Sequence, residues 1–144
     1  MRGTVEAVCI SDIRGIHKTP VSGRIRIVEG FGIEGDAHGG NWHRQISLLS
    51  REKIEEFNRR GASAANGDFG ENILVSGIDL RSLPVGSHLK FDDALLEVTQ
   101  IGKECHGHCE IFKRAGDCIM PREGIFAKVI SGGTVAKGDR VEVC

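Results

Sequence analysis

The amino-acid sequence predicts a mostly β fold, a barrel or rolled sheet with one main α-helix and short additional helices. Short segments rich in β-branched and apolar residues recur along the chain, and glycine turns separate them. The 144 residues include 20 glycines, three prolines and no tyrosine, which favours tight turns between short strands. One early segment has a clear helical pattern. The length suits one hydrophobic core, so we expect a single domain over residues 1–144.

The predicted strands follow from alternation and from short apolar runs. Residues 24–28 alternate charged and apolar side chains, the period-two pattern of a half-buried strand with its charges outward. Residues 45–49 are mostly apolar and fit a short buried strand. The full set of predicted strands is 3–10, 24–28, 45–49, 73–75, 85–91, 95–101, 124–131 and 138–143.

Residues 50–61 predict the main helix. Ser50 is a suitable N-cap, two apolar side chains fall on one face, and Gly61 suits the position after the last helical residue. A shorter helix is possible at 110–116. The polar segment 11–20 is predicted as a loop. Its Lys18 could point into a site or into solvent, and solvent is the favoured expectation, because most lysines are exposed.

Charge and hydropathy restrict the partners and the compartment. The formal net charge is −1, so no global field would attract nucleic acid or an anionic membrane. The first residues lack the features of a signal peptide, and no apolar run has the length of a membrane span. We therefore expect a cytoplasmic protein with no nucleic-acid or membrane partner. In a reducing compartment, clustered cysteines indicate redox chemistry or metal binding.

Residues 101–128 concentrate the reactive side chains. They hold three of the five cysteines and two of the six histidines, together with several lysines and arginines. A thiolate at Cys105 would be both a nucleophile and a soft metal ligand, and cations such as Lys103 would stabilise it. His106 is a candidate for proton transfer near neutral pH. This pattern predicts covalent sulfur chemistry, or ligation of a transition metal, at Cys105.

Two alternatives remain open for these cysteines. Zinc accepts mixed cysteine and histidine ligands, and the candidate zinc set is Cys105, His108, Cys109 and Cys118. In that case the chain would be a zinc-stabilised, non-enzymatic β module. Cysteine also packs as a small hydrophobic residue, which is an open reading for Cys109 and Cys118 and the expected one for Cys9.

Two glycine-rich segments upstream are candidates for the rim of a binding site. In residues 30–44, glycines allow the backbone to approach a ligand closely, with His38, His43 and Arg44 as candidate contacts. The alternative is a wide turn with a surface tryptophan. A second turn-rich cluster covers residues 67–72.

The order of these features closely resembles that of the MOSC domain, found at the C-terminus of molybdenum cofactor sulfurases and in stand-alone bacterial proteins. The matching fragments are GIEGDAH, QISLLS before a helix, GDFGENI, VSGIDL, LPVGSHL, LLEVTQIGKEC and GIFAKVISGGTVAKGDRVEV. They run through nearly the whole chain. The resemblance implies a β-barrel and a role in handling the molybdenum cofactor, molybdopterin with its metal.

The resemblance also implies roles for individual residues. Family members are thought to carry sulfur, as a persulfide, on a motif cysteine or to ligate molybdenum with it, and that position matches Cys105. Glu71 and Asn72 match the family pattern but are equally suited to bonding backbone groups at a barrel bend. The candidate catalytic residues are Cys105, Lys103 and His106, and the candidate cofactor-binding residues are Gly35, Asp36, His38, Arg44, Gly70, Glu71, Asn72 and Arg122.

The sequence looks like the short, stand-alone bacterial type of the family. Its CHGHC arrangement departs from the single cysteine of larger members. We expect neither their extra N-terminal β domain nor the pyridoxal-phosphate desulfurase domain of the sulfurases. By resemblance, a separate pyridoxal-phosphate desulfurase would donate sulfur. A molybdoenzyme or a cofactor-biosynthesis protein would accept it. Sulfur transfer is the enzymatic activity implied, and a cofactor-dependent reductase of N-hydroxylated compounds is a weaker alternative.

Overall fold

A computed structural model of the chain describes residues 1–13, 17–61, 63–102 and 124–144. Within these ranges there are eleven strands, one α-helix and a single 3-10 turn at Leu80–Ser82. In chain order they are β1 (Arg2–Ile10), β2 (Thr19–Pro20), β3 (Ile25–Val28), β4 (Gly32–Ile33), β5 (Ile46–Ser50), α1 (Arg51–Arg59), β6 (Ile73–Ser76), β7 (His88–Lys90), β8 (Leu95–Ile101), β9 (Ile125–Ser131), β10 (Gly133–Val135) and β11 (Arg140–Val143).

A closed barrel of seven strands forms the centre of the described part of the chain. Its order is β11, β7, β8, β9, β5, β6 and β1, and pairing of β1 with β11 closes it. Neighbouring barrel strands are antiparallel except β5 and β6, which are parallel and are connected through α1. Parallel neighbours need such a crossover connection. The predicted β-barrel with one main helix is therefore confirmed.

A smaller sheet has three strands in the order β10, β3 and β4. Its strand β4 lies in the first glycine-rich segment. Ile27 of β3 lies opposite Ile33 of β4 in an antiparallel register. Gly32 has a φ of +129°, and a Cβ there would lie 2.7 Å from the Gln45 carbonyl oxygen. A glycine is therefore needed for this hairpin to pack against the chain that enters β5.

The core is built from inward-facing side chains of the barrel strands, with a second apolar cluster beneath the helix. Ile54 and Phe57 of α1 are buried in that second cluster, where Phe57 meets Phe69 edge to face at 5.4 Å between ring centroids. Burial of each large side chain contributes roughly 1.5–3 kcal/mol. The fully buried barrel residues include Val5, Ile46, Leu48, Ile73, Val75, Leu89, Leu96, Val98, Ile125, Ala127 and Val141.

The helix agrees with its prediction except at its cap. It ends at Arg59, and Gly61 has the left-handed φ of +97° expected beyond a helix end. Ser50 precedes the helix, but its hydroxyl donates to the Ile78 carbonyl at 3.2 Å instead of capping the first turn. None of the helices in the described ranges is long and apolar enough to cross a membrane. The predicted helix at 110–116 lies outside the described residues.

All eight predicted strands are present, although their bounds differ. The strand predicted at 85–91 is shorter and covers His88–Lys90. Strands β2, β4 and β10 were not predicted, because two or three residues are too few to show a periodic pattern. Cys9 is buried as expected, and burial raises the pKa of its thiol to about 12.

Candidate functional site

Lys18 lies inside the protein, so the prediction that it points into solvent was wrong. Its side chain is 1% exposed, and its Nζ donates to Asp36 Oδ1 at 2.7 Å. The Nζ atom also lies 2.8 Å from His38 Nδ1. A buried lysine needs a nearby carboxylate. The local sequence around Lys18 does not reveal that its partner is Asp36, eighteen residues away.

Asp36 is the centre of this group, which we call the Lys18 network and define as Lys18, Asp36 and His38. The Asp36 side chain is fully buried. Its Oδ1 accepts from the backbone N–H of Ser11 at 3.1 Å as well as from Lys18, and its Oδ2 accepts from the backbone N–H of His38 at 3.2 Å. The carboxylate thus joins the end of β1, the buried lysine and the glycine-rich loop.

His38 connects the buried charges with the protein surface. Its side chain is 33% exposed. A lysine ammonium has donors only, so Nδ1 of the His38 ring must accept, and the proton of the neutral ring then lies on Nε2. Trp42 stacks on the imidazole with an interplanar angle of 8°, and its indole N–H donates to the His38 carbonyl at 2.7 Å. Both contacts restrict the loop around His38.

The cysteine-rich segment leaves and re-enters the described chain at one end of β8 and β9. There the N–H of Gly102 donates to the Gly124 carbonyl at 2.7 Å, and we call this pair the loop neck. Gln100 supports it, because its Nε2 donates to the Gly102 carbonyl at 2.7 Å. Its Oε1 lies 2.8 Å from Nε2 of His43. The first glycine-rich loop therefore contacts the neck.

Arg44 lies close to the same neck. Its guanidinium carbon is 4.8 Å from the centroid of the Trp42 ring and 5.5 Å from that of Phe126, two residues after Gly124. The Nε atom of Arg44 is buried and has no hydrogen-bond partner among the described residues. A buried donor without an acceptor is unfavourable by about 1–3 kcal/mol. An acceptor atom placed there would remove that penalty.

The second glycine-rich turn is held by two fully buried side chains. Glu71 accepts from the N–H groups of Gly67 at 2.8 Å and Phe69 at 3.1 Å. Asn72 accepts from the N–H of Ser47 at 3.0 Å, and its Nδ2 donates to the carbonyl of Cys9 at 3.1 Å. Both side chains therefore bond backbone groups, which is the alternative to cofactor binding that the sequence left open for Glu71 and Asn72.

The pKa of Glu71 is raised to about 7, because burial disfavours its charged form more than the backbone N–H groups stabilise it.

This turn also fixes the backbone of Lys18. The N–H of Lys18 donates to the Gly67 carbonyl at 2.9 Å, and a Cβ at Gly67 would lie 2.0 Å from the Lys18 carbonyl oxygen. Glu71 bonds the N–H of the same glycine. The two glycine-rich segments are therefore joined through Lys18, which sequence reasoning missed. The available signal was Asp36, an acidic residue in a glycine-rich loop that needs a cation once buried.

The predicted site residues divide into two groups. The described residues include Gly35, Asp36, His38 and Arg44 in the first loop and Gly70, Glu71 and Asn72 in the second. Their roles toward a cofactor stay predictions. Among the described residues, no group of three or more histidine, cysteine, aspartate or glutamate side chains is arranged to hold a metal ion. Residues outside the described ranges are Lys103, Cys105, His106, His108, Cys109, Cys118 and Arg122.

Fold and site together define a small closed β-barrel domain with a buried lysine–aspartate–histidine network and an arginine beside the neck of a cysteine-rich segment. The family model for the MOSC domain matches residues 34–142, most of the chain. The chain belongs to the MOSC domain family, and the resemblance recognised in the sequence is confirmed.

Solved structures agree with this assignment. The YuaD protein from Bacillus subtilis has a TM-score of 0.81 and 26% identity, over 99% of this chain and 96% of that one. YiiM from Escherichia coli has a TM-score of 0.71 and 20% identity, over 100% and 70% of the two chains. YiiM from Geobacillus stearothermophilus has a TM-score of 0.67 and 19% identity, over 99% and 73%. The two YiiM structures show the shared fold alone. No curated protein matches the chain.

Proposed function

We propose that this MOSC protein binds the molybdenum cofactor or its precursor and that Cys105 carries or transfers sulfur. The observation that carries the proposal is the position of Arg44 beside the loop neck, with a buried and unpartnered Nε. Family membership supports it, because the match covers the glycine-rich loops as well as the cysteine motif. In the sequence, Cys105 follows Gly102 of the neck by three residues.

The donors of Arg44 and of the first glycine-rich loop suit an anionic, phosphate-bearing group. Arginine binds phosphate with charge-assisted hydrogen bonds, and Arg44 has a donor that no acceptor in the described part of the chain satisfies. His38 offers an N–H donor on a partly exposed ring. Gly35 is exposed with a φ of +85°, which allows close backbone approach to a ligand. Arg44, His38 and the loop at Gly35 would hold the cofactor, with Arg122 as a further cation.

The bound cofactor would supply a molybdenum centre, which a cysteine thiolate can ligate. The protein's part is to provide that thiolate at Cys105, with Lys103 stabilising its charge. The first glycine-rich loop would orient the cofactor. His38 or His106 would donate a proton to an atom that gains negative charge.

Sulfur loading requires a partner that presents a cysteine persulfide, by resemblance a pyridoxal-phosphate desulfurase. The Cys105 thiolate attacks the terminal sulfur of that persulfide, forming a new S–S bond while the donor's S–S bond breaks. The donor cysteine leaves as a thiolate, so no external oxidant or reductant is needed. A molybdoenzyme or a cofactor-biosynthesis protein would then receive the sulfur or the cofactor.

Elemental analysis of protein purified without oxygen tests cofactor binding. We expect molybdenum in the wild type, less in Arg44→Met and least in Cys105→Ala. Loss of one charge-assisted hydrogen bond weakens binding by roughly tenfold or more. Cys144→Ala is the matched control, because Cys144 is an exposed free cysteine, and it should retain wild-type metal content.

Equal molybdenum in Cys105→Ala and wild type would contradict the role of Cys105 as a ligand. Stoichiometric zinc without molybdenum in the wild type would instead support the zinc-stabilised β module, provided that a chelator unfolds the domain.

A further inference from the structure

We infer that Lys18 is a positioning residue of this site and fixes the protonation of His38. The buried ammonium donates to Nδ1 of the imidazole, so the proton of the neutral ring lies on Nε2. This inference deepens the proposed function, in which His38 is a candidate proton donor. It concerns a residue that neither the motif nor the predicted cofactor contacts include.

The burial of Lys18 argues against a purely structural ion pair. Removing two charges from water costs several kcal/mol per ion, and well-packed apolar residues often replace a buried pair without loss of stability. Lys18 nevertheless pairs with Asp36 at 2.7 Å with only 1% of its side chain exposed. It contacts both the fully buried Asp36 and the partly exposed His38. The pair therefore links a buried charge to a ring that a ligand can reach.

Two distances to Nδ1 of His38 indicate which ring nitrogen would carry the proton without Lys18. Lys18 Nζ lies 2.8 Å from His38 Nδ1, while Asp36 Oδ2 lies 3.9 Å from the same nitrogen. With the ammonium in place, Nδ1 faces a donor and must accept. Without it, the Asp36 carboxylate at 3.9 Å attracts a proton to Nδ1. Lys18 therefore selects one of two tautomers.

The chosen tautomer matters for the ligand. With Nε2 protonated, His38 directs a hydrogen-bond donor away from the Lys18 network. That donor suits an oxyanion or a sulfur that gains negative charge, which is the chemistry proposed at Cys105. A proton drawn to Nδ1 by Asp36 would leave Nε2 as an acceptor. An acceptor at Nε2 would repel the same oxyanion or sulfur.

Nitrogen NMR of histidine-labelled protein tests this inference directly, with His38→Gln used to assign the His38 signals. In the wild type at neutral pH we expect Nδ1 to resonate as an unprotonated imidazole nitrogen and Nε2 as a protonated one. In Lys18→Met we expect the two to exchange, so that Nδ1 carries the proton. In Lys18→Met/Asp36→Asn, with no carboxylate to attract it, the proton should return to Nε2.

Lys128→Met is the matched control. Lys128 is 44% exposed and pairs with Glu97 at 3.3 Å, so its loss should leave the His38 signals unchanged. A wild-type spectrum with Nδ1 protonated would overturn the inference, as would an unchanged tautomer in Lys18→Met. If Lys18→Met fails to fold, the wild-type spectrum still tests the inference, because a protonated Nδ1 there would overturn it. The NMR measurement needs neither cofactor nor sulfur. The inference about Lys18 can therefore be wrong while the function proposed for Cys105 is right, and the inference can be right while that function is wrong.

Discussion

At the scale of single residues, buried polar side chains determine how the site is held. Lys18, Asp36, Glu71 and Asn72 are all buried, and each bonds a group that the barrel would otherwise leave unpaired. Sequence patterns identified three of the four as candidates. The burial of Lys18 was not predicted, because its partner lies in another loop. Burial of a charge depends on tertiary contacts that a local sequence pattern does not contain.

Glu71 should make stability depend on pH. Its pKa in the folded protein is about 7, against 4.5 as the ordinary value, so the folded state binds the proton more tightly. The resulting stabilisation is present in full below about pH 4.5 and is lost as the pH rises through about 7. Between pH 5 and pH 8 the free energy of unfolding should fall by roughly 2–3 kcal/mol relative to that of Glu71→Gln, measured by denaturant titration.

Other groups titrate in the same range, so the comparison uses a difference between variants. Glu55→Gln is the matched control, because Glu55 is exposed on the helix and should follow the wild type at both pH values. A gap between wild type and Glu71→Gln that stays constant from pH 5 to pH 8 would show that Glu71 does not titrate there.

At the scale of secondary-structure elements, the strands were predictable where a period could be read. β1, β8 and β9 have seven or more residues and match their predicted positions closely. β2 and β4 have two residues each, and only tertiary pairing defines them. These short strands position the glycine-rich loop, so the parts of the fold nearest the site were the hardest to predict.

The contact between the second turn and Lys18 can be tested with two glycines. Gly67 and Gly86 both have a left-handed φ, of +90° and +97°. A Cβ at Gly67 would lie 2.0 Å from a backbone oxygen of Lys18, whereas a Cβ at Gly86 has nothing within 4 Å. We therefore expect Gly67→Ala to lower the free energy of unfolding by about 1–3 kcal/mol more than Gly86→Ala. Thermal unfolding that gives equal losses would show that the close approach at Gly67 is absent in solution.

At the scale of the whole molecule, the barrel brings together residues that are far apart in sequence. The strand order of the sheet places β9 between β8 and β5, and so brings Phe126, Gln100 and the residues before β5 to one end. The sequence pattern predicted a barrel and a reactive cysteine segment. It did not predict which arginine would lie beside the neck, because that depends on the closure of the sheet. Arg44 is at the neck, and Arg122 lies outside the described residues.

The central claim is that Cys105 is the thiol that carries sulfur. The most direct measurement is the intact mass of the protein after anaerobic incubation with a pyridoxal-phosphate cysteine desulfurase and cysteine, followed by peptide mapping. We predict one added sulfur atom on Cys105 in the wild type and in Cys144→Ala, removed by a thiol reductant and absent in Cys105→Ala. A wild-type protein that gains no sulfur there, or a Cys105→Ala variant that gains as much as the wild type, would contradict the account.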